Sequence, residues 1–165
     1  MIAVYTTKKY SIEWKNRYQA SNLEYYRTKF PAVYNSGNVP MIKFPDTNKA
    51  NGLTRFVLDM INWNGGYANR ISSMGRMINT YEKQSSGVSI TVKKYIPGTT
   101  NKGTADIHAI IDGKHFSIEI KVGKDKMSEY QHEEMARVRA AGGNYMIVKD
   151  PESFCTALDY ITQNP

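Results

Sequence analysis

Asp106, Glu119 and Lys121 stand at a spacing that could do chemistry on phosphate. They occur in Gly103-Thr104-Ala105-Asp106 and Ile118-Glu119-Ile120-Lys121, on either side of Asp112-Gly113. Asp-Gly between two short apolar runs is a strong two-residue hairpin signal. Folding about that turn pairs Ile111 with Lys114, Ala109 with Phe116 and Asp106 with Glu119. Directly paired residues share a face, so the two carboxylates would lie with their Cβ atoms roughly 4.5–5.5 Å apart. Like charges that close repel by about 1 kcal/mol in water and by about 4 kcal/mol at an effective dielectric near 20. A cation between them removes that cost. Lys121, two residues beyond Glu119, emerges on the same face. Two carboxylates, a metal and an ammonium in one patch are equipment for attacking a phosphodiester.

The flanking residues support this register. Ile107, Ala109 and Ile111 form one apolar face, and Phe116, Ile118, Ile120 and Val122 form its counterpart. The opposite face holds Asp106, His108, Glu119 and Lys121. A slip of one residue would scramble both faces.

These strands need a scaffold, and the rest of the chain supplies one. Residues 11–30 read as a tyrosine-rich helix, followed by an irregular connection marked by Pro31, Gly37, Pro40 and Pro45. From Asn51, the stripe Leu53, Phe56, Val57, Met60 and Ile61 predicts an amphipathic helix stopped by Gly65-Gly66. Residues 67–73 read as a strand, 74–86 as a polar segment, and 88–96 as a β-rich run with Ile90, Val92 and Tyr95 among its apolar positions. After the hairpin, Ser128-Glu129-Tyr130-Gln131 has capping-box spacing for a second helix, which Gly142-Gly143 ends. Residues 145–148 predict a buried strand. Asp150-Pro151 reads as the start of a last helix with core positions Phe154, Leu158 and Ile161. Helix, strands, helix, strand, helix is the order of an α/β fold with a sheet flanked by helices. Residues 1–50 read as a helical and irregular N-terminal extension and residues 51–165 as the main domain.

Composition narrows the class. The 165 residues suffice for one domain with a real core. The single cysteine, Cys155, rules out an internal disulfide and a zinc site built on thiolates, and fits a reducing cytoplasm. No apolar run approaches a membrane span, and the N-terminus lacks a signal-peptide pattern. A net charge of +7 favours a polyanionic partner, and twelve tyrosines add rings able to stack on bases.

The segment 51–149 resembles the PD-(D/E)XK nuclease superfamily, and most closely its VRR-NUC branch. Gly103-Thr104-Ala105-Asp106, Glu119-Ile120-Lys121 and the Ser128–Gln131 helix start carry the resemblance. It implies a restriction-endonuclease-like core with a central mixed sheet. It also implies that Asp106, Glu119 and the main-chain carbonyl of Ile120 bind Mg²⁺ or Mn²⁺, with Lys121 serving the attacking water and Gln131 supporting the site. Many relatives carry a further acid on the first core helix. Here that stretch reads Asn51-Gly52-Leu53-Thr54, with Asp59 well inside the helix, which argues against a second metal site built from protein carboxylates. Stand-alone VRR-NUC proteins resemble Holliday-junction resolvases and often act as homodimers. The resemblance therefore implies a Mg²⁺-dependent deoxyribonuclease, an endonuclease on branched or flapped DNA. Its small size suits an accessory enzyme of a phage or bacterium.

Other residues have two readings. Gln131 closes a capping box with Ser128, yet shares an inward stripe with Met135 and Val138. Tyr67, Arg70 and Arg76, with Lys124 and Lys126 after the catalytic strand, are candidates for touching nucleic acid by stacking and phosphate contacts, or are plain surface. Lys93 and Lys94 are weaker candidates of the same kind. His108 shares the polar face, although a lone strand histidine is more often structural. His115 and His132 read as surface residues, and Cys155 as inert. Two rival functions remain: a catalytically silent DNA-binding module on the same fold, and a restriction-type enzyme, which would need a base-reading element that residues 1–50 do not display.

Overall fold

A computed structural model describes residues 10–71, 75–83, 87, 89–96 and 101–163. The chain runs α1 (Tyr10–Lys29), α2 (Pro31–Asn35), α3 (Ala50–Trp63), β1 (Tyr67–Arg70), β2 (Arg76–Lys83), β3 (Ser89–Ile96), β4 (Ile107–Ile111), β5 (Lys114–Ile120), α4 (Glu129–Ala140), β6 (Asn144–Val148) and α5 (Pro151–Gln163). It is a mixed α/β fold. A four-stranded mixed sheet, ordered β1-β4-β5-β6, has antiparallel pairs throughout except for the parallel β5–β6 pair. Strands β2 and β3 form a separate antiparallel ribbon.

The central hairpin forms in the expected register. Ile111 pairs with Lys114, Ala109 with Phe116 and Ile107 with Ile118. Asp112 and Gly113 both adopt positive φ, 49° and 72°, as a type I′ turn requires and as Asp-Gly tolerates. Ile107, Ala109, Ile111, Phe116, Ile118 and Ile120 are buried together with Leu53, Phe56, Val57, Met60 and Ile61 of α3 and with Phe154 and Leu158 of α5. The Asp150 carboxylate accepts from the Ser153 backbone N–H at 2.7 Å and starts α5 as an N-cap should.

The N-terminal helix joins this core. Trp14 and Tyr18 are buried in the same cluster, edge-on or tilted against Phe44, Phe56 and Trp63. The Tyr18 hydroxyl donates to Asp59, and Arg17 forks onto Asp159 of α5. Asp59 is thus spent on holding α1 to α3.

Two sequence readings need correction. Residues 76–83 lie within the segment read only as polar, yet they form β2, paired residue for residue with β3. Ribbon pairing satisfies their backbone groups without burying a face, so no apolar alternation was there to announce the strand. The strand expected over 67–73 ends at Arg70; residues 72–74 lie outside the described residues. No helix among the described residues is long and apolar enough to cross a membrane.

Candidate functional site

The polar face of the central hairpin is covered. Helix α4 lies over it, and Ser117, Glu119 and Lys121 are 1 %, 2 % and 7 % exposed. Burying a carboxylate and an ammonium is costly unless they are paired and hydrogen-bonded. Here they are paired. Lys121 Nζ lies 3.1 Å from Glu119 Oε1, 3.0 Å from Gln131 Oε1 and 3.5 Å from Asp125 Oδ2. The Gln131 amide nitrogen donates to the same Glu119 Oε1.

Gln131 fills both of its candidate roles at once. Its Oε1 accepts from the Ser128 backbone N–H at 2.9 Å, and its own N–H donates to Ser128 Oγ at 3.3 Å, which closes the capping box. The same Oε1 holds Lys121, and its Nε2 holds Glu119. One side chain therefore ties the start of α4 to both charged residues of β5.

Asp106 arrives by a different route from the one the hairpin pattern suggests. The backbone ladder stops at Ile107, so Asp106 and Glu119 do not form the last rung. Instead, Asp106 turns its side chain inward, and Oδ2 accepts from the Ile120 backbone N–H at 2.9 Å. Its backbone carbonyl accepts from Ile71 at 2.8 Å, which anchors the end of β1. In an extended strand a residue's N–H and C=O leave on the same edge, so the Ile120 carbonyl leaves toward Asp106 as well. Gly103 permits this approach. Its φ is +84°, and a Cβ there would stand 2.2 Å from the Tyr130 carbonyl oxygen at the start of α4. The glycine of Gly103-Thr104-Ala105-Asp106 thus lets the loop pass against α4 and deliver Asp106.

The electrostatics follow. Burial, and next the Asp106 charge, push the Glu119 carboxyl above its ordinary range, while Lys121 pulls it back. Glu119 Oε2 is buried and has no hydrogen-bond partner. A buried carboxylate oxygen left unpaired beside a second carboxylate is costly as it stands. A hard cation would satisfy it, as would a small shift of the neighbouring Tyr145 hydroxyl. Among the described residues, no three His, Cys, Asp or Glu side chains cluster as ligands. Any metal here would rest on Asp106, Glu119, the Ile120 carbonyl and solvent.

Two further groups face this site that the sequence does not advertise. Tyr145 of β6 pairs with Ser117 across the parallel ladder, and its hydroxyl and Ser117 Oγ are both buried without partners. Burial, then the charges of Glu119, Asp106 and Glu134, and the approach of the hydroxyl to the Glu119 carboxylate itself, push the Tyr145 phenol well above its ordinary value. Glu134 lies three residues after Gln131 and so shares the inner face of α4. His108 is half-buried on the same sheet face, and desolvation together with His115 lowers its pKa. Helical spacing from Gln131 would have pointed to Glu134. Tyr145 needed the β5–β6 register, which no local pattern reveals.

The expected nucleic-acid contacts divide. Lys124 and Lys126 are exposed on the loop that leaves Lys121. Arg70 pairs with Ile107 next to Asp106, but on the α3 side of the sheet, where its guanidinium donates to Asn51 at 2.8 Å. Tyr67 is at the far end of β1, opposite Ile110 and four residues along β4 from Asp106. Arg76 begins β2, and its side chain lies outside the described residues. The structure therefore gathers Asp106, Glu119, Ile120, Lys121 and Gln131, with the Lys124–Lys126 loop beside them, and leaves Tyr67 apart. Compared with known proteins, the chain matches no family model, and no curated protein is significantly similar to it in sequence.

Proposed function

We propose that this chain is a metal-dependent nuclease that hydrolyses DNA phosphodiesters, with Asp106, Glu119 and Lys121 at its centre. The observation that carries the reading is the buried, partnerless Glu119 Oε2 beside Asp106, with Lys121 locked against the other oxygen of the same carboxylate. The mixed sheet with α3 on one side and α4 on the other is compatible with a restriction-endonuclease-like core of the VRR-NUC kind.

Asp106, Glu119 and the Ile120 carbonyl would hold Mg²⁺ or Mn²⁺, since they are hard oxygen donors. Bound there, such an ion supplies charge compensation and Lewis-acid polarisation of a phosphoryl oxygen. Lys121 keeps its ammonium aimed by three oxygen partners. It would orient the attacking water and offset charge that develops on the phosphate in the transition state. Gln131 fixes both Glu119 and Lys121, so neither has to reorganise when substrate arrives. Lys124 and Lys126 would track the phosphate backbone as it leaves the site. The net positive charge supports a DNA partner. Branched or flapped DNA cut by a cytoplasmic homodimer is the refinement that the family resemblance favours.

The test is cleavage of supercoiled plasmid, a four-way junction and a flap substrate, with Mg²⁺, Mn²⁺ or EDTA. Metal-dependent cutting that disappears in Glu119→Gln and Lys121→Met supports the reading. DNA binding by all three proteins with no cutting under any condition would replace it with the silent binding module. Cutting confined to one short sequence would replace it with a restriction enzyme.

A further inference from the structure

The β2–β3 ribbon stands outside the core. Its strands pair over eight rungs, Arg76 with Ile96 through Lys83 with Ser89, and neither packs broadly on another described helix or strand. An isolated two-stranded ribbon is marginal in water and gains little by itself. Its two faces differ. On one, Ile78, Thr80, Val92 and Ile96 are half-buried, and the ribbon's only acid, Glu82, also lies on this side. The other face carries Tyr81 and Lys83 on β2 and Lys93 and Tyr95 on β3. Every residue on it is exposed, Tyr81 at 79 % and Tyr95 at 59 %, and none is acidic.

Both legs of the ribbon are rooted at the candidate site. The chain leaves at Ile71, which is hydrogen-bonded to the Asp106 carbonyl, and returns through Asn101–Thr104 to Asp106 itself. Arg76 is five residue steps beyond Ile71, so the ribbon starts no more than about 18 Å from Asp106's partner, given at most ~3.6 Å per step. Eight residues at about 3.4 Å each then give an arm of about 27 Å. That length spans about eight base pairs at ~3.4 Å per base step along one strand.

We infer that this ribbon is a DNA-holding arm, which lays its Tyr81–Lys83–Lys93–Tyr95 face in the major groove of duplex flanking the cut. A major groove admits a two-stranded β-ribbon. The lysines meet phosphates and the tyrosines the sugar and base edges. The half-buried face turns away from the DNA. This inference rests on the nuclease reading for its substrate.

The experiment measures binding of a labelled 30-base-pair duplex by fluorescence anisotropy, with Ca²⁺ in place of Mg²⁺, across a salt series. Each lost phosphate contact lowers the salt slope by about 0.9, so Lys83→Ala/Lys93→Ala loses about 1.8 in slope and about 30-fold in affinity at 0.15 M salt. Tyr81→Ala weakens binding about five-fold with the slope unchanged, as the loss of one uncharged contact should. Lys94→Ala, on the other face, stays within two-fold. All variants keep the wild-type unfolding midpoint, because the ribbon adds nothing to the core. Equal losses in Lys94→Ala and the double-lysine variant, or binding within two-fold of wild type in the latter, overturn the arm. So does a change from dimer to monomer in sedimentation, which would make the ribbon a subunit contact. If wild-type protein binds and cuts DNA while the ribbon variants do so equally well, only the arm falls. If wild-type protein does not bind the duplex at all, both readings fall.

Discussion

Replacing Lys121 by methionine keeps most of the side chain's volume and removes its charge together with the ammonium's hydrogen-bond donors. Its Nζ is 3.1 Å from Glu119 Oε1, and the two side chains are 8 % and 3 % exposed. At that separation, 332/(20 × 3.1) gives an attraction of about 5 kcal/mol at an effective dielectric near 20. Not all of this is lost. Gln131 still donates to Glu119, and its Oε1 keeps the Ser128 N–H. Glu119, already raised by burial and by Asp106, can also take a proton. A buried pair broken on one side costs about 3–5 kcal/mol, and these escapes place Lys121→Met near the lower end, at about 3 kcal/mol. Glu119→Gln/Lys121→Met removes both charges and should recover at least half of that loss. The assay is urea unfolding of wild type, both single variants and the double variant at pH 7.5. A coupling energy of about 2 kcal/mol is expected. A coupling below about 0.5 kcal/mol, the size found for exposed pairs, would refute the claim that these charges are held together out of water.

Two shorter predictions concern the approach to the site and the lone thiol. Gly103→Ala forces a Cβ into positive φ and against the Tyr130 carbonyl. It should cost about 2 kcal/mol, a fall of about 4–8 °C in Tm by calorimetry, and, under the proposed nuclease function, should abolish cleavage because Asp106 is displaced. An unchanged Tm would show that the loop has another path past α4. Burial pushes the Cys155 thiol up to about 11. The folded protein thus holds the thiol proton at pH 8, and iodoacetamide should label it about a hundred-fold more slowly than an ordinary cysteine. Labelling should climb about ten-fold per pH unit between 8 and 10; a rate at pH 8 equal to that in urea would contradict the burial.

The hairpin was legible because two independent patterns agreed on one register. The Asp-Gly turn fixed the pairing, and the apolar alternation of Ile107, Ala109, Ile111, Phe116, Ile118 and Ile120 fixed the faces. Helices α3 and α5 were legible for a similar reason, since their stripes of Leu53, Phe56, Val57 and of Phe154, Leu158 face one core. Gln131 was half-legible: capping spacing and inward stripe each predicted a role, and it plays both. What stayed hidden depends on distant pairing. Tyr145 reaches the site only through the parallel β5–β6 ladder. Strand β2 exists because β3 pairs with it, and neither buries a continuous face. The inward turn of Asp106 to the Ile120 N–H replaces a backbone rung with a side-chain bond, a substitution that alternation cannot foresee.

Mn²⁺ titration followed by electron paramagnetic resonance, which reads free ion directly, tests the central claim. Wild-type protein should bind one Mn²⁺ per chain. Asp106→Asn and Glu119→Gln should each abolish that site, while Lys121→Met should keep or tighten it, because a neighbouring cation is gone. Absence of binding in the wild type, or binding unchanged when either acid is neutralised, would contradict the assignment of these two carboxylates as a cation site.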